Sequence, residues 1–153
     1  MSNFTTVYDR IRTELSTIFC GKTEIPIPEE IGQNNVNLLR DGYGLITSLA
    51  TPGIFNEFKV TSSIHNFEIV LSRELKMLEN DPEPRHVQIK ALIEDLVSLR
   101  VSFLNNDQLT IYQSIQNITY EGMSEISYVN IDKNDIISAS ITFAVEITED
   151  IEY

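Results

Sequence analysis

Apolar positions along this 153-residue chain recur with two different periods, and the periods alternate in blocks. Over residues 3–19, Phe4, Val7, Tyr8, Ile11, Leu15 and Ile18 fall at steps of three and four, which gathers them on one face of a helix. Ser2 or Asn3 can cap its start, and Gly21 can serve as a left-handed stop. Residues 22–42 hold no sustained period. Pro26, Pro28, Gly32, Gly42 and the polar run Gln33-Asn34-Asn35 make them read as a long loop, of the kind that is functional or meets a partner. Period two then takes over. Residues 43–50 read as a strand with Tyr43, Leu45, Thr47 and Leu49 on one side, and Thr51-Pro52-Gly53 as a turn. Residues 57–72 read as a long strand that forms a hairpin with the first. Phe58, Val60 and Ile64 share one phase there and Phe67, Ile69 and Leu71 the other, so a bulge or bend is expected at His65-Asn66.

Asp81-Pro82-Glu83-Pro84 opens a second helix, because acids favour a helix N-terminus and proline is tolerated in its first turn. Ile89, Leu92, Ile93, Leu96, Leu99 and Phe103 form its apolar stripe over residues 84–104. Asn105-Asn106-Asp107 breaks it and caps a short further helix holding Leu109, Tyr112 and Ile115. Residues 123–131 have strand composition. Asp132-Lys133-Asn134-Asp135 is a polar turn. The clearest strand follows, with Ile137, Ala139, Ile141, Phe143, Val145 and Ile147 alternating against Ser138, Ser140, Thr142, Ala144 and Glu146. The order α-β-β-α-α-β-β predicts an α+β fold, an antiparallel sheet of about four main strands with helices packed on one face. One domain over residues 1–153 is expected, without internal repeats and with its long loop at about 22–42.

Composition agrees with a folded domain: 42% of residues are hydrophobic and 22% charged. Charge changes the picture more. The net charge is −12, and residues 107–153 carry nine acids against the single base Lys133. A pI near 4.4 argues against a protein that grips nucleic acid by its phosphates, and against docking on an anionic membrane. Asp9, Arg10 and Arg12 interrupt the first apolar stretch, so no signal peptide is expected there. The lone Cys20 reads as a semi-buried small hydrophobe and leaves no internal disulfide, which fits assembly in a cytosol.

Motifs for chemistry are missing. No phosphate-cradling, dinucleotide, zinc-protease or nucleophile-elbow pattern occurs. Asp41-Gly42-Tyr43-Gly44 leads into a strand, not a phosphate-binding helix, and reads as a loop-to-strand turn. Asp132, Asn134 and Asp135 fail the calcium-loop spacing and read as a hairpin turn. His65 and His86 stand alone, and the neighbouring acids Glu94-Asp95 cannot face each other on a helix. No catalytic, cofactor-binding or metal residue is assigned.

The opening helix ending at Gly21, the strand at Tyr43-Gly44-Leu45 and the strand Asn66-Phe67-Glu68-Ile69-Val70-Leu71 form a pattern. It continues through the helix after Pro84 and the short helix after Asp107, and closes on Ile136 to Ile147 almost at the C-terminus. In this it resembles the tail terminators of tailed bacteriophages, the lambda-type tail-tube capping proteins. The resemblance implies a homo-oligomeric, hexameric ring in the virion tail or neck, assembled in the host cytoplasm. Such a ring docks on the last ring of tail tube protein, stops its growth and presents a surface to the head-completion or neck proteins. DNA passes through its channel without specific binding, and the family brings no catalytic residues and no membrane.

Two other readings compete. A small acidic inhibitor of the immunity type would use the charge excess after residue 106 to meet a basic nuclease or toxin. An enzyme would need a site assembled from scattered residues such as His65, Tyr43 and Glu68.

Overall fold

The computed structural model describes residues 2–48, 51–57, 60–75, 80–105 and 114–150. Helix α1 spans Asn3–Ile18, and the Ser2 side chain accepts a hydrogen bond from the Thr5 amide at 3.2 Å. The predicted face is the observed one: Val7, Ile11 and Leu15 are buried, and Phe4, Tyr8 and Ile18 pack against the same core. The end of the helix differs from expectation. Gly21 does not take the left-handed conformation; Phe19 closes the helix, donating its amide to the Leu15 carbonyl at 2.9 Å. Phe19 turns inward against Tyr43, with ring centroids 5.7 Å apart, and that leaves Cys20 exposed instead of semi-buried.

The α+β class holds, but the strand count and order do not. The elements after α1 are β1 (Thr23–Glu24), a 3-10 turn at Ile31–Gln33, α2 (Val36–Leu39), β2 (Asp41–Thr47), β3 (Thr51–Glu57) and β4 (Val60–Leu75). They continue as α3 (Glu83–Asn105), β5 (Ile115–Met123), β6 (Ser127–Ile131) and β7 (Asn134–Asp150). The strands make one seven-stranded sheet, ordered β1-β2-β4-β7-β5, with β3 beside β4 and β6 beside β7. It is mixed, because β1 pairs with β2 in parallel. The expected loop at 22–42 therefore contains a strand and two helical turns. Elements of two to four residues are too short to display a period, which is why the sequence pattern does not reveal them.

The sheet is built on two long strands. β4 and β7 pair antiparallel without a register shift, from Val60↔Asp150 to Leu75↔Asp135. The expected bulge at His65-Asn66 is absent. Register shifts occur in the flanking strands instead, within β3 between Pro52 and Asn56 and twice within β5. The apparent phase slip in β4 has another cause: both of its faces are covered. Phe67, Ile69 and Leu71 enter the main core on one face, while Val70 and Ser72 are buried on the other. β2 and β4 do pair as expected, Tyr43 opposite Leu71, yet β3 lies between them in the chain and forms the hairpin with β4. Thr51-Pro52-Gly53 thus belong to a strand, not a turn. Proline is tolerated because, among the described residues, β3 pairs with β4 alone.

One face carries α1 and α3. Leu92, Leu96, Leu99 and Phe103 of α3 are buried there, with the Phe103 ring stacked 4.9 Å from Phe143. Ile93, expected in this stripe, is 44% exposed instead. The helices do not all lie on one face, because residues 25–39 fold over the other. Ile25, Leu39 and Ile136 form a second small core there, joined by Ile31, Val36, Val129 and Ile131. Gly42 and Gly44 allow it: a Cβ on Gly44 would lie 2.5 Å from Pro28, and one on Gly42 would lie 2.5 Å from the Leu38 carbonyl. Asn34 staples this segment, holding both the amide and the carbonyl of Ile27 at 3.1 and 2.9 Å.

The C-terminal strands follow the predicted alternation. Ile137, Ala139, Ile141, Phe143, Val145 and Ile147 are all buried. The predicted strand over 123–131 is divided, ending β5 and forming β6, and Ile115 starts β5 rather than completing a helix. The rest of that expected short helix lies outside the described residues. The turn from β6 to β7 is a two-residue hairpin with Asp132 and Lys133 at φ 50° and 66°, the left-handed geometry that matches strand twist.

Two stability tests follow. Phe143→Asp places a charge among Phe103, Tyr120 and Phe67 at a fully buried position, costs several kcal/mol and is expected to abolish folding. Glu146→Lys, on the other face, is expected to keep a native circular dichroism spectrum; a folded Phe143→Asp protein would show that the facing is wrong. Gly44→Ala must push Pro28 off the sheet, at about 1–3 kcal/mol in urea denaturation, with cleavage by trypsin near Lys22 and Arg40 becoming faster.

Candidate functional site

The side chains that chemistry would need are kept apart. His65 and Glu68 lie on opposite faces of β4, and Tyr43 is buried on β2 against Phe19. Asp132 and Lys133 form the hairpin turn, while Asp135 accepts hydrogen bonds from Tyr128 and Asn130. The Tyr128 contact holds the Asp135 carboxyl below its ordinary range and the phenol above its own. Gly42 and Gly44 receive Ile25 and Pro28, leaving no cradle for a phosphate. Glu94 is exposed, whereas Asp95 turns inward to Arg73 and Lys22. Among the described residues no group of three or more His, Cys, Asp or Glu side chains is placed to hold a metal ion.

His65 has a structural setting. Its ring stacks on Phe4 at 4.3 Å between centroids. Phe4 begins α1, and the Glu149 carboxylate of β7 accepts the Phe4 and Asn3 amides at 2.7 and 3.0 Å. A carboxylate thus fills the positive end of α1 and docks the helix on the sheet. Burial pushes the His65 imidazole below its ordinary value of 6.5, against the opposing pull of Glu149, and its Nδ1 is buried with no partner among the described residues.

Arg12, Lys22, Arg40 and Arg73 sit in ion pairs that tie the elements together. Lys22 meets Asp41 and, at 3.1 Å, Asp95. Arg73 meets Asp95 at 3.2 Å and Asp41 at 3.5 Å, which joins β2, β4 and α3. Arg12 grips Glu24 through two nitrogens at 2.9 and 3.0 Å, and Arg40 pairs with Glu74 at 3.1 Å. The cleft of about 450 Å³ between Arg40, Asp41, Arg73, Glu74 and Gln88 therefore holds no spare cation for an anionic ligand.

What remains is surface, and it is of two kinds. On the sheet face away from α1 and α3, beside the part that residues 25–39 cover, Ile64, Asn117, Thr119, Glu121, Ala144 and Glu146 share a shallow depression that holds two acids. The Ser62 hydroxyl donates to Glu146 at 3.1 Å. The second kind is apolar. Val87, Ile93, Val97, Val101 and Leu104 of α3 are between 36% and 56% exposed, forming a stripe about a third of a turn from the buried one. Covering the exposed part of these five side chains contributes roughly 3–7 kcal/mol. Association costs about 4–15 kcal/mol, so a partner must add apolar surface or charge of its own. The stripe was legible as the spacing 93, 97, 101, 104, but the stronger buried stripe beside it masks that signal.

The sheet edges are weaker candidates. Among the described residues β5 pairs with β7 alone and carries two register shifts, one at Gly122 with φ 132°, while β3 carries Pro52 and a shift. Such features bend an edge away from a flat template. The sequence matches no protein-family model and no curated protein. No helix among the described residues is long and apolar enough to cross a membrane.

Burial of His65 makes the neutral imidazole the favoured form in the fold, so the unfolded chain binds that proton more readily. Stability is expected to fall as pH drops below about 6.5. His65→Phe, which retains a ring on Phe4, should reduce that slope in urea melts between pH 7.5 and 5. An unchanged slope would assign it to carboxylates alone.

Proposed function

We propose that this chain is a structural virion protein of the tail-terminator type. Copies close into a hexameric ring, cap the tail tube protein and offer their other side to head-completion or neck proteins. The long strands β4 and β7 would supply the ring's rigid wall. The protein would be assembled in the host cytoplasm and reside at the tail or neck of the particle, with no bond made or broken.

The observation that carries this reading is the division of charge. Arg12, Lys22, Arg40 and Arg73 are held in ion pairs, while Glu121 and Glu146 share the polar face of the sheet. A wall that presents acids lets DNA move past, because it repels phosphate rather than trapping it. The same acid excess is the basis of the second reading, an inhibitor that docks on a basic nuclease or toxin.

Electron microscopy of the purified protein, alone and with isolated tail tubes, separates the two. Rings of constant diameter that seat on one end of a tube are the expected result. A monomer that ignores tubes but binds a basic nuclease at nanomolar concentration would overturn the ring reading.

A further inference from the structure

The sheet face away from α1 and α3 holds a polar hollow of about 220 Å³, between the segment at Pro28 and Ile31 and the link from β5 to β6. Strands β4 and β7 form its floor. Glu68 and Val70 of β4 share that face with Ser140 of β7, because Val70 pairs with Ser140 and side chains two residues apart point the same way. Ser124, in the link after β5, lines one side. Its hydroxyl accepts the Ser140 amide at 2.8 Å, which fixes that wall to the floor.

Two polar groups in this hollow are left over. Ser140 is only 9% exposed, and its hydroxyl meets no partner among the described residues. Glu68 is half-buried, and among the described residues no hydrogen bond or ion pair engages its carboxylate. The described lining contains no lysine, arginine or histidine. A half-buried carboxylate gives up hydration, and here it gains no counter-charge in return. The group that would complete the site is therefore a cation with hydrogen-bond donors.

We infer that the hollow binds a primary alkylammonium group, with the ammonium between Glu68 and Ser140 and the methylene stem along Val70, Pro28 and Ile31. An ammonium carries three donors and no acceptor, and a carboxylate and a hydroxyl can both accept from it. Glu68 and Ser140 are diagonal neighbours on one face, about 7–8 Å apart at their backbones, so one ammonium can reach both side chains. Apolar surface beside a charged end suits a chain that buries its stem and keeps its head polar. A bare divalent metal ion fits less well, because it asks for six or more oxygens and more than one carboxylate. The net charge of −12 raises the concentration of any cation near the protein. A lysine side chain of another protein and a free alkylamine present the same group. The site goes beyond the ring reading and does not depend on it.

Methyl NMR of the full chain, labelled at its isoleucine and valine methyls, reads the site in a monomer or in a ring. The probe is butylammonium chloride, with potassium chloride and butanol as controls. Saturable shifts of the Val70 and Ile31 methyls are expected, with a Kd of about 1–10 mM for so small a ligand. Glu68→Gln, which keeps the shape and removes the charge, is expected to weaken binding about tenfold, and Ser140→Ala about threefold. Both variants are expected to keep a native circular dichroism spectrum. Shifts that never saturate, shifts that potassium chloride reproduces, butanol binding as tightly, or unchanged binding by Glu68→Gln would each overturn the inference. Nα-acetyl-lysine methylamide and butane-1,4-diammonium then separate the sources. If the lysine derivative binds as tightly as butylammonium, the site takes a lysine side chain of a protein. If only the free amines bind, it takes a small amine. Either result upholds the ammonium site, whether electron microscopy shows rings or a monomer.

Discussion

The antiparallel pairing of β4 with β7 is the constraint on which the rest of the structure depends. The two strands are paired along the whole of β4; β2, β3, β5 and β6 each attach to one of them, and β1 joins the sheet through β2. Shifting that pairing by one residue would move Phe67, Ile69 and Leu71 against the wrong face of Ile141 and Phe143. The core excludes such a slip, because Phe143 is fully buried between Phe103 and the strands. Unbroken alternation in β7 therefore does more than make a strand. It sets which face receives α1 and α3, and which is left to the 25–39 segment and to solvent.

Electrostatics follow from that choice of faces. The ion pairs of Lys22, Arg73, Asp41 and Asp95 join elements far apart in sequence at one side of the sheet. They draw Lys22 and Arg73 inward while Asp41 stays half-exposed. The chain's net charge is −12, and five of the large hydrophobic side chains exposed among the described residues lie on α3. Among the described residues no group of three or more His, Cys, Asp or Glu side chains is placed to hold a metal ion.

The parts of the fold legible in the sequence are those with long periods. α1, α3 and β7 were readable because five or more apolar positions recur in step, so no single exception spoils the pattern. β1, α2 and the 3-10 turn are two to four residues each, and their conformation comes from landing on the sheet. β3 was hidden behind Thr51-Pro52-Gly53, a turn signal by composition, because composition does not say that this strand lies at an edge. The alternating glycines Gly42 and Gly44 did carry a message, that another backbone approaches one face of β2, but its partner was not named. The candidate contact surfaces were half readable. The acid excess is a count along the chain, while the exposed stripe of α3 emerges only once the buried stripe is assigned to the sheet.

By itself, the sequence determined the class of the molecule: an acidic α+β domain with an amphipathic opening helix, a long second helix and a final strand with one apolar side. Those properties are local, set by which residues can share a face at periods of 3.6 and 2. The tertiary structure alone decided that β4 is covered on both sides, that residues 25–39 pack instead of looping free, and that α3 leaves a second apolar stripe uncovered. These depend on which distant elements meet. That is settled by competition for burial across the whole chain, and no window of neighbouring residues contains it.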